Sequence, residues 1–144
     1  MTQPIFEQTR GDLLLSTDRR RLDLDAVHAM LQATHWAREM SRSVLEKAVE
    51  NSLCFAVYLD GKPIAFARLV TDHCTYAYLT DVVVAEEQRG RGIGNWLTEA
   101  IVAHPDMKGI RRISLLTSTA QRLYERHGFK TDTGKLIYME RRNV

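Results

Sequence analysis

The stretch QRGRGIGNW, from Gln88 to Trp96, places three glycines and two arginines between an apolar run and a helical pattern. The run before it, YAYLTDVVV over 76–84, is almost continuous in β-branched and aromatic residues, which predicts a central strand covered on both faces. After it, apolar residues recur at helical spacing over 93–101, until Pro105 ends the pattern. The stretch is therefore predicted to be a loop between a strand and the N-terminus of an amphipathic helix.

A loop in this position is suited to binding an anion. Unpaired backbone N–H groups and the positive end of the helix dipole meet at a helix N-terminus. Gly90, Gly92 and Gly94 would let a phosphate approach the backbone without a Cβ in the way. Arg89 and Arg91 can add charge-assisted hydrogen bonds. The two familiar phosphate loops are excluded, because GxxxxGK[ST] is absent and the spacing is not that of GxGxxG followed by an acidic residue on a second strand. We predict a pyrophosphate site of another class.

The rest of the chain predicts an α+β domain in which strands and helices are interspersed. The further predicted elements are a strand over 12–16, a helix over 24–36, a helix over 43–51 with a capping box at Ser43 and Glu46, strands over 53–59 and 63–70 joined by a tight turn at Asp60 and Gly61, a strand over 112–116, a helix over 118–127 closed by Gly128, and a strand over 135–139. A two-residue turn would place Cys54 opposite Ala67, well away from Cys74, so both thiols are expected to be reduced and buried.

Length, charge and composition exclude several classes of protein. The 144 residues fit one domain, which we predict to extend over 1–144. A net charge of +2 is too balanced for a dedicated nucleic-acid-binding protein. No run approaches the roughly 18 apolar residues of a membrane span, and the start has no apolar core of signal-peptide length. We therefore expect no membrane partner and a cytoplasmic location. The five histidines show no metal-ligand spacing, which predicts that no metal is bound.

Two motifs together indicate a family. The segment 89–94, RGRGIG, resembles the RxxGxG signature of the GNAT superfamily of N-acetyltransferases, and AQRLYERHGF over 120–129 resembles that family's AxxLYxxxGF segment. The element order is similar to the family's over nearly the whole chain. The resemblance implies a mixed, mostly antiparallel, twisted central sheet with helices on both faces. It also implies transfer of an acetyl group from acetyl-CoA to a primary amine of a small molecule or peptide, and it makes a homodimer a reasonable expectation.

The resemblance further implies which residues bind the cofactor. The glycine loop, with Arg89, Gly90, Arg91, Gly92, Ile93 and Gly94, would hold the pyrophosphate of acetyl-CoA. The backbone of the strand ending in Val82, Val83 and Val84 would pair with the pantetheine arm, with one N–H facing the acetyl oxygen. Thr117 stands where many members have an asparagine, and it could hydrogen-bond either coenzyme A or its own backbone.

Tyr124 matches the family's general acid. A phenol with a pKa of about 10 can protonate a departing thiolate whose conjugate thiol has a pKa of about 8.5. The alternative is a tyrosine packed in the core.

No motif identifies the general base. Asp81, a carboxylate in an apolar strand, is the best candidate, either as base or as the group that binds the amine. The alternative is a strand aspartate hydrogen-bonded to nearby backbone.

The acceptor side is less defined by the sequence. His35 and Trp36 are candidates to line the acceptor pocket, because the resemblance places substrate contacts in the first two helices, and a packed Trp beside an ordinary His is the alternative. His73, beside Asp72, could reach the pocket mouth or simply occupy an exposed turn. Two rival functions are less favoured, the first because of Tyr124 and the second because of the balanced charge. A non-catalytic acyl-CoA-binding regulatory domain would tolerate loss of the tyrosine, and nucleic-acid binding would not require the glycines.

Overall fold

The structure is a computed structural model that describes residues 4–132 and 134–143. The strands are β1 (Glu7–Arg10), β2 (Leu13–Ser16), β3 (Leu53–Leu59), β4 (Lys62–Thr71), β5 (Tyr76–Val84) and β6 (Arg112–Leu115). The helices are α1 (Leu24–Gln32), α2 (Arg42–Glu50), α3 (Ile93–Ala103), α4 (Pro105–Gly109) and α5 (Gln121–Glu125). The described strands form one sheet, and their order in it follows their order in the chain.

The sheet is mixed but mostly antiparallel. Neighbouring strands from β1 to β5 pair antiparallel, whereas β5 and β6 pair parallel. The α+β fold with a mixed, mostly antiparallel central sheet and helices on both faces, predicted from the sequence, is confirmed.

Two apolar layers hold the helices on the sheet. On β3, Leu53, Phe55 and Val57 face the layer that contains α3, while Cys54 and Tyr58 face the layer that contains α1 and α2. The strand is buried on both faces, which explains its continuous run of apolar residues. In α3 the largest buried side chains are those of Trp96, Leu97 and Ile101. Burial of each such side chain contributes about 1.5–3 kcal/mol.

A β-bulge in β5 reverses which face its residues occupy. Phe66 pairs with Val83 and Arg68 with Thr80, so β5 carries one more residue than β4 between these pairs. Asp81 lies at the bulge with a φ of 55°, in the left-handed region. Before the bulge Leu79 faces the α3 layer, and after it Val82 does so instead of Val83.

The pairing of β5 with β6 covers only half of β5. Its residues 76–79 pair with 112–115. Over 80–84, the described residues provide no strand on that side of β5. Backbone groups on this edge are thus left for other partners.

The boundaries of α1 and α2 differ from the prediction. Helix α1 ends at Gln32 rather than at position 36, because the Thr34 hydroxyl donates to Leu31 O at 2.6 Å and accepts from Ala37 N–H at 3.2 Å, which forms a turn. The predicted capping box at Ser43 is wrong. Ser41 caps α2 by accepting from Val44 N–H, and the helix begins at Arg42.

Two short elements escaped prediction. Strand β1, EQTR, is a polar edge strand whose pattern carries no apolar face. Pro105 does end the pattern of α3, but it also begins α4, where a proline at the first turn loses no hydrogen bond. Helix α5 is shorter than the predicted 118–127, and Gly128, with a φ of 90°, follows it.

The cysteine and C-terminal predictions are partly wrong. The turn at Asp60 and Gly61 has positive φ at both residues, as expected, but a bulge in β4 moves the register so that Cys54 lies opposite Arg68 rather than Ala67. Cys54 is buried as predicted, whereas Cys74 is exposed in its turn.

The segment 135–139, predicted to be a strand, is not a strand. A segment with strand propensity forms a strand only where its backbone can hydrogen-bond to a neighbouring strand. The apolar side chains of 135–139, Leu136, Ile137, Tyr138 and Met139, are exposed.

Candidate functional site

The glycine loop has the backbone conformation that glycine favours. Gly90 has a φ of 84° and Gly92 a φ of 77°. A Cβ added at either position would meet no other atom within 4 Å, so the space over the loop is open. Gly92 is the N-cap residue of α3 and offers no side chain to cap it.

The first turn of α3 exposes hydrogen-bond donors. The Trp96 N–H donates to Gly92 O at 3.0 Å, the first bond of the helical ladder. The N–H groups of Ile93, Gly94 and Asn95 precede that bond, so they have no partner within the helix. Together with the positive end of an 11-residue helix they form a site suited to a phosphate.

A cavity of about 270 Å³ lies over this turn. It is lined by Val84, Gln88, Arg89, Gly90, Gly92, Ile93, Gly94, Asn95, Leu123 and Arg126. The end of β5, the loop, the start of α3 and the end of α5 therefore meet at one place. Most of the predicted cofactor-binding residues are brought together here.

The two loop arginines are placed differently. The Arg89 Nε donates to Val84 O at 3.3 Å, and Arg89 lines the cavity. The Arg91 Nη1 donates to Gln88 Oε1 at 2.5 Å, and Arg91 is not among the lining residues. Of the two loop arginines, Arg89 is therefore the one that lines the cavity.

Helix α5 is docked against the first turn of α3. A Cβ built on Gly94 would lie 3.8 Å from Leu123 Cδ2, so this glycine lets α5 approach closely. His127 Nε2 lies 2.7 Å from Asn95 Oδ1 in a hydrogen bond. Leu123, Arg126 and Asn95 were missed as site residues. The sequence offered part of the information needed to find them, because Leu123 and Arg126 are three residues apart and so lie on the same side of a helix.

Tyr124 is buried in the same core layer as Val82 and Val84 of β5. Its ring packs edge-on against Phe129, with centroids 5.8 Å apart. Burial raises the pKa of the Tyr124 phenol, which keeps it protonated at neutral pH. Tyr124 is thus a core residue in the layer that also contains Val82 and Val84 of β5.

Asp81 is paired with a side chain rather than with nearby backbone. Its Oδ2 accepts from Arg68 Nε at 2.8 Å, and both side chains are buried, with exposed fractions of 4% and 13%. The Arg68 Nη1 also donates to Ser52 Oγ at 3.2 Å. Among the described residues, none donates a hydrogen bond to the other oxygen, Oδ1. The positive φ of Asp81 adds strain of about 1–3 kcal/mol.

Breaking this pair is expected to destabilise the fold. Asp81→Asn tolerates the left-handed backbone but leaves the buried Arg68 cation without its carboxylate, which should lower the free energy of unfolding by about 3 kcal/mol. Urea denaturation measures this. In the double variant with Arg68→Met the loss should be clearly smaller than the sum of the single losses. Strict additivity would show that the two side chains are not coupled.

Other predicted site residues lie outside the cavity. The Thr117 Oγ1 accepts from Ala120 N–H at 2.9 Å, so it orders the turn before α5. His35 and Trp36 lie in the connection between α1 and α2, where their rings pack edge to face with centroids 5.3 Å apart. Trp36 is 55% exposed, so it is not a packed core tryptophan.

His73 is not brought to the glycine loop. It precedes β5, whereas the loop follows it, and nine strand residues span roughly 30 Å. His73 Nδ1 lies 2.8 Å from Asp106 Oδ2 of α4. Its φ of 65° and the bond from its N–H to Thr71 Oγ1 describe a tight turn.

The stability of the fold is expected to depend on pH through His104, which lies near the pair formed by His73 and Asp106. It is buried against the rings of Phe6 and Phe55, and its Nδ1 accepts from Asp106 N–H at 3.1 Å as the cap of α4. Burial lowers the pKa of His104 below its usual 6.5, so the unfolded state binds a proton more readily. Its contribution to stability is therefore fully present above about pH 6.5 and is lost as the pH falls below that value.

The matched variant is His104→Asn, which keeps a capping acceptor and cannot titrate. Between pH 8 and pH 5.5 the urea midpoint of the wild type should fall more than that of the variant. Equal decreases would assign the pH dependence to other groups.

Two further findings concern the described residues as a whole. Across 4–132 and 134–143, no helix has the length and apolar character needed to cross a membrane. Over the same ranges, His, Cys, Asp and Glu side chains form no group of three that could hold a metal ion.

Comparison with known proteins agrees with this arrangement. A family model described as an acetyltransferase (GNAT) domain matches residues 50–131. A protein of Gibberella zeae that is named as an acetyltransferase is 33% identical over 140 residues, with 81% of this chain and 77% of the relative covered. Serotonin N-acetyltransferase 2 of Oryza sativa subsp. japonica is 29% identical over 135 residues, with 85% of this chain and 66% of the relative covered.

A solved structure extends the agreement to the whole fold. A GNAT family protein from Xanthomonas campestris pv. campestris superposes with a TM-score of 0.86 at 41% identity, with 93% of this chain and 95% of the other covered. The glycine loop and the tyrosine segment both fall within the family match. The chain belongs to the GNAT family of acetyltransferases.

Proposed function

We propose that the protein transfers an acetyl group from acetyl-CoA to a primary amine of a small molecule or peptide, by direct attack of the amine on the thioester. One observation carries the proposal. The uncapped first turn of α3 and the half of β5 that does not pair with β6 adjoin one cavity at Val84. An anion site and an open strand edge in this order suit a ligand with a pyrophosphate at one end and an amide-containing arm at the other.

The residues present fit coenzyme A. The N–H groups at the start of α3 and Arg89 would hold the pyrophosphate. The backbone over 82–84 is paired with β4 on one side and has no strand on its other side among the described residues, and that free edge would hydrogen-bond the pantetheine arm. When bound, acetyl-CoA supplies an activated thioester carbonyl. A backbone N–H of β5 directed at its oxygen would stabilise the negative charge that develops there.

Tyr124 is proposed as the general acid. A phenol with an ordinary pKa of about 10 is protonated at neutral pH, and burial raises the pKa of Tyr124 further, so the side chain carries a proton that it can donate to the departing thiolate. At ordinary pKa values the transfer from phenol to thiolate is uphill by about 1.5 units, or about 2 kcal/mol. Because burial raises the pKa of Tyr124, the cost in this site lies above that figure.

Asp81 is proposed to act on the acceptor amine. Its Oδ2 is held by Arg68, which leaves Oδ1 as the acceptor for an ammonium group or for the proton it must lose. The bulge puts Asp81 at the point where β5 loses its neighbour β6, next to the strand edge proposed for the pantetheine arm. His35 and Trp36, exposed in the connection between α1 and α2, are proposed to contact the body of the acceptor.

The experiment that tests this function follows the release of coenzyme A. The protein is incubated with acetyl-CoA and one amine at a time: arylalkylamines, polyamines, free amino acids and peptides with a free N-terminus. Because one relative is named as a serotonin N-acetyltransferase, arylalkylamines are tested first. Thiol release and a mass gain of one acetyl group on an amine are expected, and N-acetylated versions of the same amines serve as controls.

The outcome of this experiment distinguishes an acetyltransferase from a non-catalytic acyl-CoA-binding domain. Binding of acetyl-CoA without thiol release for any amine class would contradict the proposal and favour a non-catalytic acyl-CoA-binding domain. The homodimer and the cytoplasmic location remain predictions. Light scattering tests the homodimer, which should have twice the chain mass of 16.5 kDa.

A further inference from the structure

One arginine at the cavity comes from a different element than the glycine loop. Arg126 follows α5 directly and lines the cavity beside Leu123. Its place is fixed by α5, which packs on Gly94 through Leu123 and is tied to Asn95 through His127. The cavity therefore has a cation on the α5 side in addition to Arg89 on the strand side.

Arg126 is not occupied by an acidic partner. Among the described residues it takes part in no salt bridge, although other exposed arginines such as Arg10 and Arg42 do. Its neighbour one turn earlier, Arg122, is also basic, and among the described residues it too forms no salt bridge. An unpaired guanidinium at the rim of an anion cavity is available to a ligand.

Coenzyme A carries two separate anionic groups, the pyrophosphate and the monophosphate on the ribose 3′-oxygen. The backbone N–H groups of α3 and Arg89, which lie on the loop and strand side, are assigned to the pyrophosphate in the proposed function. A monoester phosphate carries about −1.5 to −2 charge at neutral pH, and a guanidinium can bind it through two parallel hydrogen bonds. Arg126, on the other side of the cavity, is placed to take the second group.

We propose that Arg126 binds the 3′-phosphate of coenzyme A and makes the site selective for coenzyme A over 3′-dephospho-coenzyme A. The proposal rests on the proposed function, since it assumes that the cavity holds the nucleotide end of this molecule. It assigns Arg126 to binding and gives it no part in the acetyl transfer.

The test is calorimetric titration of coenzyme A and of 3′-dephospho-coenzyme A into three proteins. These are the wild type, Arg126→Gln and the matched control Arg122→Gln, which makes the same change of charge on the same helix at a residue that does not line the cavity. Arg126→Gln should weaken binding of coenzyme A by about 10- to 100-fold and leave binding of the dephospho form within about 2-fold. Arg122→Gln should change either affinity by no more than about 2-fold.

Three results would overturn the proposal. An equal loss for both ligands in Arg126→Gln would place Arg126 at the pyrophosphate, and no loss for either would remove it from the site. An equal effect of Arg122→Gln would reduce the contribution to general charge. Failure of the coenzyme A site itself looks different, because the wild type would then bind neither ligand, and failure of the acetyl transfer alone would appear in the thiol-release assay and leave these affinities unchanged.

Discussion

Tyr124→Phe is expected to lower kcat by about 100- to 10,000-fold, the range in which a positioned general acid contributes. The substitution removes one hydroxyl and keeps the ring that packs on Phe129 in the core. The affinity for acetyl-CoA should therefore stay within about 2-fold. A loss in kcat without a loss in binding is the signature of an interaction made only in the transition state.

The measurement combines steady-state kinetics with calorimetry. Tyr138→Phe is the matched control, since Tyr138 is 64% exposed and lies outside the core. Its kcat should equal that of the wild type. If Tyr124→Phe retains a kcat within about 3-fold of the wild type, Tyr124 is a packing residue and another group, or water, protonates the thiolate.

The parts of the site that were predictable are those encoded locally. A strand, a glycine loop and the start of a helix follow one another over 76–101, so composition and period alone predict a glycine loop at a helix N-terminus. The bounds of β5 matched the prediction residue for residue. The position of Tyr124 on a helix was predictable for a similar reason, because the segment 120–129 is continuous in the chain.

The parts that were not predictable depend on pairing between distant residues. The bulge at Asp81 cannot be predicted from the segment YAYLTDVVV, because it arises only when β5 pairs with β4. The partner of Asp81 is Arg68, on the neighbouring strand. Arg126 reaches the cavity only because α5 docks on α3 through Leu123 and His127. The segment 135–139 has the composition of a strand, but composition cannot supply a ladder partner.

The second large effect concerns the glycine loop. Gly92→Glu places a carboxylate at the N-cap of α3, over the N–H groups that would hold the pyrophosphate. Two like charges about 4 Å apart repel by about 4 kcal/mol at an effective dielectric constant of 20, which corresponds to about 1,000-fold in affinity. The side chain has room, because a Cβ at Gly92 meets no atom within 4 Å.

The variant Gly92→Gln isolates this charge. Gly92 has a φ of 77°, so any side chain there strains the backbone, and Glu and Gln share that strain and nearly the same shape. The difference between the two variants thus reports the charge alone. Thermal unfolding of both proteins confirms that they are folded to the same extent.

The most direct test of the account is calorimetric titration of acetyl-CoA into the wild type, Gly92→Gln and Gly92→Glu. The account predicts that the wild type binds, that Gly92→Gln binds more weakly, and that Gly92→Glu binds about 1,000-fold more weakly than Gly92→Gln. No binding to the wild type, or equal binding to the two variants, would contradict the assignment of the glycine loop as the pyrophosphate site.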